Sequence, residues 1–248
     1  MSERLRSRDR AFLRAEEPTA PRHNATVEIF DLGDSGFDYD RLVELISDRI
    51  SFVPRYRQRV VTVPGGLASP VWTDDQAFDL AYHVRRSALP RPGSDEQLFE
   101  LVARIVSRPL DRSRPLWEVY FVEGLSDNRV AILSKSHQAL VDGVHTVDLG
   151  QLLLDVSPQA KDLEPDDWSP RSTPSIPALL GDAAKDTVRS PTTVIDTVGV
   201  AATNVLQRAD EARQRARRVT RALSGRPERR TAVFGPLSQQ RRVITLTT

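Results

Sequence analysis

The chain has 248 residues, of which 39% are hydrophobic, enough to bury one large core or two small ones. The formal net charge of +1 gives no reason to expect a nucleic-acid partner, and the absence of cysteine excludes disulfides and thiolate sites. Because the first thirty residues lack a signal-peptide core and no apolar run is long enough to cross a bilayer, we expect a cytoplasmic protein.

The first third of the chain predicts an alternation of strands and helices. Residues 25–30 alternate apolar and polar side chains, which indicates a strand. Residues 39–52 place apolar side chains at helical spacing, and Pro54 ends that helix. Two further apolar runs, at 60–63 and 79–86, predict strands.

Three arginines alternate in one short segment of this region. Arg55, Arg57 and Arg59 have the spacing that is typical of a solvated strand edge. Guanidinium groups also pair well with phosphate oxygens, so Arg55 and Arg57 are candidate contacts for a phosphorylated ligand.

Two histidines lie in this part of the chain as well. His23 precedes the first predicted strand, and we expect it to face solvent or a cleft wall. His83 lies within a predicted strand, where a paired structural histidine is the more common case. Neither is a first choice for a catalytic residue.

The middle of the chain predicts a helix followed by a hairpin. Ser94 and Gln97 have the spacing of a capping box, and apolar residues then recur at helical spacing until about residue 108. The apolar runs at 116–122 and 129–136 predict two strands that pair as a hairpin.

A histidine motif follows the second strand of that hairpin. The string Ser-Lys-Ser-His-Gln-Ala-Leu-Val-Asp-Gly-Val-His, residues 134–145, leads from the strand to a helical pattern across the Asp142-Gly143 pair. Loops at strand ends often hold functional side chains on a rigid support. A single strand-end histidine is nevertheless more often a hydrogen-bonded structural residue, and an Asp-Gly pair is often only a helix cap.

Beyond the motif helix the composition changes. Residues 157–178 are rich in proline and predict a linker. Residues 179–225 predict a long basic amphipathic helix, which either packs along the protein or lies on an anionic membrane surface. Residues 226–248 predict a loop and a terminal strand.

The motif resembles the H-H-x-x-x-D-G signature of the bacterial wax ester synthase/diacylglycerol O-acyltransferase family. His137 matches the first histidine, Asp142 the aspartate and Gly143 the glycine, but Gln138 stands where the family has its second histidine. The segment 109–118, which contains Pro-Leu-Asp and Pro-Leu-Trp-Glu, is similar to the family's P-L-D-x-x-x-P-L-W-E.

The resemblance implies a fold and a domain organisation. We expect an α/β (α+β) fold, a chloramphenicol-acetyltransferase-like lobe with a mixed sheet flanked by helices, plus the long crossover helix. Residues 1–156 would form the N-terminal lobe. Family members are typically nearly twice this long, so the resemblance covers the first lobe only, and a separately encoded second lobe or a homodimer would complete the channel.

The resemblance also implies an activity. The expected enzyme transfers a long-chain acyl group from acyl-CoA to diacylglycerol or a fatty alcohol, with no bound cofactor, no metal and no nucleic acid. We expect a protein that can bind peripherally to the inner membrane face, a lipid droplet or another lipid inclusion. Because the family's second histidine is generally assigned as the base, Gln138 leaves a non-catalytic lipid- or partner-binding protein as the alternative.

Three hypotheses describe how the motif could work with a glutamine in it. His137 could act as the base after a local twist of the strand, or His145 could reach in from the following helix, or the site could be inactive. Gln138 would orient a hydroxyl group. Asp142 would turn inward to an arginine and fix the loop, with Arg22, Arg112 and Arg114 as the three possible partners; Arg55 and Arg57 would hold the phosphates of CoA.

Overall fold

A computed structural model describes residues 3–17, 19–63, 69–141, 149, 166, 168–175 and 177–181. The chain divides into two compact units. Of the described residues, the first unit contains 3–4, 61–63, 69–71, 174–175 and 177–181, and the second contains the others. The histidine motif belongs to the second unit.

Five helices and a single 3₁₀ turn have defined bounds in the described ranges. The helices are α1 (Ser7–Ala15), α2 (Tyr39–Ile50), α3 (Leu80–His83), α4 (Asp95–Val106) and α5 (Gln138–Val141), and the 3₁₀ turn spans Pro54–Arg57. The predicted capping box is confirmed, because the Ser94 side chain accepts from the Gln97 N–H and the Gln97 side chain accepts from the Ser94 N–H. Residues 177–181 are also helical.

Seven strands complete the described secondary structure: β1 (Glu3–Arg4), β2 (His23–Asp31), β3 (Gln58–Val61), β4 (Val71–Asp74), β5 (Val84–Ala88), β6 (Trp117–Glu123) and β7 (Arg129–His137). Strands β3 and β4 are neighbours in a small sheet. The main sheet of the second unit has the order β2-β7-β6-β5. It is mixed, because β7 runs antiparallel to β2 and β6 whereas β5 and β6 are parallel.

The main sheet packs a helix on each face. On one face, Leu42, Ile46 and Ile50 of α2 belong to a buried apolar cluster that includes Trp117 and Phe121 of β6. On the other face, apolar residues of α4 form a second cluster with residues of β6 and β7. This arrangement confirms the predicted α/β class with a mixed sheet flanked by helices.

The hairpin is confirmed, but the strand predicted at 79–86 is wrong in its first half. Residues 79–86 form the short helix α3 and then β5, because the Asp79 side chain accepts from the Ala81 N–H and starts a helical turn. The short helix α5 starts at Gln138, directly after β7. The helix predicted after the Asp-Gly pair lies outside the described residues, except for the helical Leu149.

The structural role predicted for His83 is confirmed. Its ring is fully buried and stacks on Trp117, with 4.6 Å between the ring centroids. Nδ1 lies 2.8 Å from the carbonyl oxygen of Trp117. This contact fixes α3 against the first residue of β6.

The predicted boundaries of the linker, the long helix and the terminal strand fall mostly outside the described residues. Only the helical residues 177–181 lie near the predicted start of the crossover helix at residue 179. The division into 1–156, 157–178, 179–225 and 226–248 therefore stays a prediction.

Candidate active site

His137 is the last residue of β7, and the strand is regular up to that point. It pairs with His23 of β2 in the antiparallel ladder, and its N–H donates to the Leu116 carbonyl at 3.0 Å. The local twist that the first hypothesis requires is therefore not present. The side chain points into the second unit and is fully buried.

Both ring nitrogens of His137 face groups of the protein. Nδ1 accepts a hydrogen bond from the Ala139 N–H at 3.0 Å, which assigns the proton of the neutral ring to Nε2. Nε2 lies 3.7 Å from Oε1 of Glu16. Burial lowers the pKa of His137 to about 4, although the Glu16 charge opposes the shift. At neutral pH the ring is uncharged, and its one basic nitrogen is already bonded.

Glu16, which follows α1, is a residue of this site that the sequence hypotheses missed. Its carboxylate binds Arg112, whose Nε donates to Oε2 at 2.7 Å, and it also accepts from the Arg22 N–H at 3.3 Å. Burial raises the pKa of Glu16, but the hydrogen bonds and charge of Arg112 outweigh burial and hold that pKa below its usual value. Glu16 therefore stays ionised beside His137.

Gln138 starts α5 and points away from this buried cluster. Its N–H donates to the Arg22 carbonyl at 2.9 Å, and its side-chain Nε2 is 3.4 Å from Oδ1 of Asn24. The side chain is half-buried and Asn24 is exposed. The residue at the position of the family's second histidine is thus the more accessible member of the pair His137-Gln138.

Three other motif residues that have a predicted role lie outside the described residues. These are Asp142, Gly143 and His145. Their predicted roles in shaping the loop and contacting substrate stay predictions.

The arginines expected to pair with Asp142 have other contacts in the described part of the chain. Arg112 binds Glu16, and the guanidinium of Arg114 lies 4.3 Å from the ring centroid of Tyr82. The pairing of Asp142 with one of its three predicted arginines stays a prediction.

The two arginines proposed as phosphate contacts have different environments. Arg57 is buried, its guanidinium pairs with Asp166, and it lies 4.8 Å from the Trp168 ring centroid. The expectation of a solvated strand edge is wrong for this residue, because the carboxylate and the indole remove it from water. Arg55 is half-buried, lies 4.7 Å from the Trp72 ring centroid and donates to Gln58.

Two buried polar side chains attach α4 to the strands that carry the site. His23 was expected to face solvent or a cleft wall, but it is buried and its Nε2 is 2.6 Å from the Val106 carbonyl oxygen. Lys135 donates to the carbonyls of Ile105 at 3.2 Å and Arg108 at 2.5 Å. Burial lowers the pKa of Lys135. Both side chains thus contact carbonyl groups at the C-terminal end of α4.

The described residues contain neither a cluster of metal ligands nor a membrane-spanning helix. Among the described residues, no three His, Cys, Asp or Glu side chains lie close enough together to hold a metal ion. No helix within the described ranges has the length and apolar character needed to cross a membrane.

The mixed sheet, the helix on each of its faces and the motif at the end of β7 form an α/β lobe. Residues 5–248 match the family model described as the wax ester synthase/diacylglycerol acyltransferase catalytic domain. The chain belongs to this family.

Individual relatives differ in how much of their own length the chain covers. The probable diacylglycerol O-acyltransferase tgs3 of Mycobacterium tuberculosis is 42% identical over 219 residues, which are 88% of this chain and 81% of the relative. The probable diacylglycerol O-acyltransferase tgs1 of the same organism is 40% identical over 145 residues, 58% of this chain and 31% of the relative.

A solved structure of the family is also similar to this chain over only part of its length. The wax ester synthase/diacylglycerol acyltransferase from Marinobacter aquaeolei VT8 is 34% identical, with a TM-score of 0.48. The similarity covers 57% of this chain and 35% of that protein. The chain thus spans about a third of that structure and of tgs1, but most of tgs3.

Proposed function

We propose that this protein is an acyl-CoA-dependent O-acyltransferase that transfers a long-chain acyl group to diacylglycerol or a fatty alcohol. The observation that carries the proposal is the family match over residues 5–248, which includes the His137-Gln138 motif. The 42% identity to a probable diacylglycerol O-acyltransferase over 81% of its length favours diacylglycerol as the acceptor.

The reaction forms one bond and breaks another. The acceptor oxygen attacks the carbonyl carbon of the thioester, the carbon–oxygen bond of the ester forms, and the carbon–sulfur bond breaks. The acceptor proton finally resides on the thiol of CoA. A base near the acceptor hydroxyl accelerates such a step by about 10²- to 10⁴-fold.

Gln138 occupies the position where the family has its base, and it can only orient a hydroxyl. A carboxamide has no nitrogen that accepts a proton at neutral pH, but its carbonyl oxygen accepts a hydrogen bond. The accessible side chain next to Asn24 supports this role. We therefore expect slow turnover, limited by the missing base, unless His145 accepts the proton.

His137 serves this reaction as a positioning residue. Its buried neutral ring accepts from the Ala139 N–H and so fixes the turn at which β7 becomes α5. That turn directs the Gln138 side chain outward. Asp142 and Gly143 would continue the same function in the following loop.

The wider assembly is also part of the proposal. Arg55 is the better candidate for the CoA phosphates, because it is half-buried whereas Arg57 is buried against Asp166. A second lobe on another polypeptide, or a second copy of the chain, would close the channel and exclude water. Contact with a membrane or lipid-droplet surface would give access to apolar substrates.

One observation favours a second candidate function, a non-catalytic lipid- or partner-binding protein. The only nitrogen of His137 with a free electron pair in the neutral ring already accepts from Ala139, and residue 138 is a glutamine. Within the described residues, the motif therefore retains a substrate-facing polar group but offers no base.

The release of CoA from palmitoyl-CoA in the presence of diolein distinguishes the two candidates. We expect the purified chain to form triacylglycerol slowly, with CoA release that depends on diolein. Binding of palmitoyl-CoA without diolein-dependent release would instead identify the non-catalytic protein.

A further inference from the structure

Two buried hydroxyl groups of β7 lie close to the motif. Ser134 and Ser136 are each 3% exposed. Neither Oγ atom has a hydrogen-bond partner in the described part of the chain. Leaving a buried hydroxyl unpaired costs about 1–3 kcal/mol, so two such groups in succession need an explanation.

The two serines lie on the same face of the sheet, because they are two residues apart in a strand. On one side their ladder partners are Thr26 and Asn24 of β2. On the other side the partners are Val119 and Trp117 of β6, whose side chains belong to the apolar core. These apolar neighbours cannot accept a hydrogen bond from the hydroxyls.

The hydroxyls of Ser134 and Ser136 have polar residues on one side along the strand and apolar residues on the other. Asn24, the partner of Ser136, is contacted by the side chain of Gln138, so the polar side lies at the motif. Two residues beyond Ser134 on the same face, Ile132 is a member of the buried apolar cluster. We call Ser134 and Ser136 the serine pair. The serine pair lies along β7 between Gln138 of the motif and Ile132 of the apolar cluster.

We propose that the serine pair binds carbonyl oxygens of an extended substrate whose reacting end lies at Gln138. The proposal rests on the proposed function and specifies where one substrate binds. A hydroxyl donates well to an ester or amide carbonyl, and residues two apart in a strand are about 7 Å apart. An extended chain that carries two carbonyls can therefore contact both serines.

Two substrates of the reaction carry carbonyl groups of this kind. Acyl-CoA has amide carbonyls in the arm that ends at its sulfur, and diacylglycerol has two ester carbonyls near its hydroxyl. A fatty alcohol has none. The shared chemistry is a carbonyl acceptor, and binding measurements with one probe for each source distinguish the two.

The test uses the full chain and two probes that do not react alone: S-hexadecyl-CoA, a thioether, and dioleoylglycerol in detergent micelles. We expect the double variant Ser134→Ala/Ser136→Ala to bind one of the probes about tenfold more weakly, since each lost hydrogen bond contributes about a factor of three to five. Weaker binding of S-hexadecyl-CoA assigns the serine pair to the donor. Weaker binding of dioleoylglycerol assigns it to the acceptor.

The thermal midpoint of unfolding distinguishes a binding role of the two serines from a structural role. Removing unpaired buried hydroxyls leaves the midpoint unchanged or raises it, whereas removing structural hydrogen bonds lowers it. The matched control is Ser87→Ala, because Ser87 of β5 pairs with Val122 and lies on the opposite face of the same sheet. We expect Ser87→Ala to bind both probes with the wild-type affinity.

Equal affinity of the wild-type chain and the double variant for both probes overturns the proposal, as does a wild-type chain that binds neither probe. The enzyme assay is separate from these measurements. If the wild-type chain forms triacylglycerol but the double variant keeps both affinities, the proposal for the serine pair is wrong and the acyltransferase proposal stands. If the double variant binds a probe more weakly but the wild-type chain shows no turnover, the binding role of the serine pair stands and the acyltransferase proposal is wrong.

Discussion

The carboxylate of Glu16 faces the imidazole of His137, with 3.7 Å between Oε1 and Nε2. This separation is longer than a hydrogen bond, but both groups are buried, so the carboxylate charge acts on the ring without full screening by water. Arg112 neutralises that carboxylate from its other side. The N-terminal segment thereby places a paired carboxylate beside the motif histidine.

The first prediction concerns the residue at the position of the family's second histidine. Gln138→His introduces a group that accepts a proton near neutral pH, so we expect diolein-dependent CoA release to rise by about 10²-fold or more. Gln138→Ala is the control and should stay at or below the wild-type rate. Equal rates for the histidine variant and the wild type would show that a base at this position does not limit turnover.

The second prediction is a pH dependence of stability that arises from His137. Its pKa is about 4 in the folded protein and about 6.5 when unfolded, so the unfolded chain binds the extra proton first as the pH falls. The free energy of unfolding should therefore be highest above pH 6.5 and decrease by about 3 kcal/mol on the way to pH 4.

Urea unfolding at several pH values between 7 and 4 measures this dependence. His83 contributes with the same sign, because burial also lowers its pKa. The variant His137→Asn should be less stable at pH 7 and should show a shallower decrease. An unchanged slope in this variant would contradict the low pKa assigned to His137.

The third prediction compares the two members of the Glu16 and Arg112 pair. Glu16 is almost completely buried, whereas Arg112 is about half exposed. Arg112→Ala leaves a buried carboxylate without its counter-charge and should cost about 2 kcal/mol of unfolding free energy. Glu16→Gln removes the charge itself and should cost less.

A double-mutant cycle on this pair separates the two effects. The variant that combines Glu16→Gln with Arg112→Ala should be more stable than Arg112→Ala alone, because no unpaired charge remains. The result is read from urea unfolding at pH 7. Additive losses would mean that the pair contributes no coupling energy.

The fourth prediction separates the roles of Arg55 and Arg57. Asp166→Ala leaves the buried Arg57 without its partner, so the thermal midpoint should fall, and Arg57→Ala should lower it as well. Arg55→Ala should instead weaken the binding of S-hexadecyl-CoA and change the midpoint little. If Arg57→Ala retains the wild-type midpoint and only weakens CoA binding, the structural role of Arg57 is wrong.

The local features of this chain were predictable because they depend on neighbours in sequence. The capping box at Ser94 and Gln97 needs only three residues of spacing, and the hairpin of β6 and β7 needs two apolar runs and a turn between them. The resemblance of the motif to a family signature is likewise a property of consecutive residues. The matching family model confirms it.

The environment of each motif residue was not predictable in the same way. Glu16 is far from His137 in sequence, and nothing in its own segment distinguishes it from the adjacent Glu17. The arginine spacing that suggested a solvated edge gave no sign that Asp166 and Trp168 cover Arg57. These contacts exist only because distant segments pack together.

The sequence by itself determined the principal strands and helices of the lobe, the family and the substitution of glutamine for the second histidine. Only the tertiary structure decided that His137 is buried and uncharged and that Gln138 is the more accessible of the two. It also decided that two serines beside them find no hydrogen-bond partner among the described residues. The physical reason is that periodicity and capping act over a few residues. Burial, pKa and hydrogen-bond satisfaction depend on which remote elements come to surround a side chain.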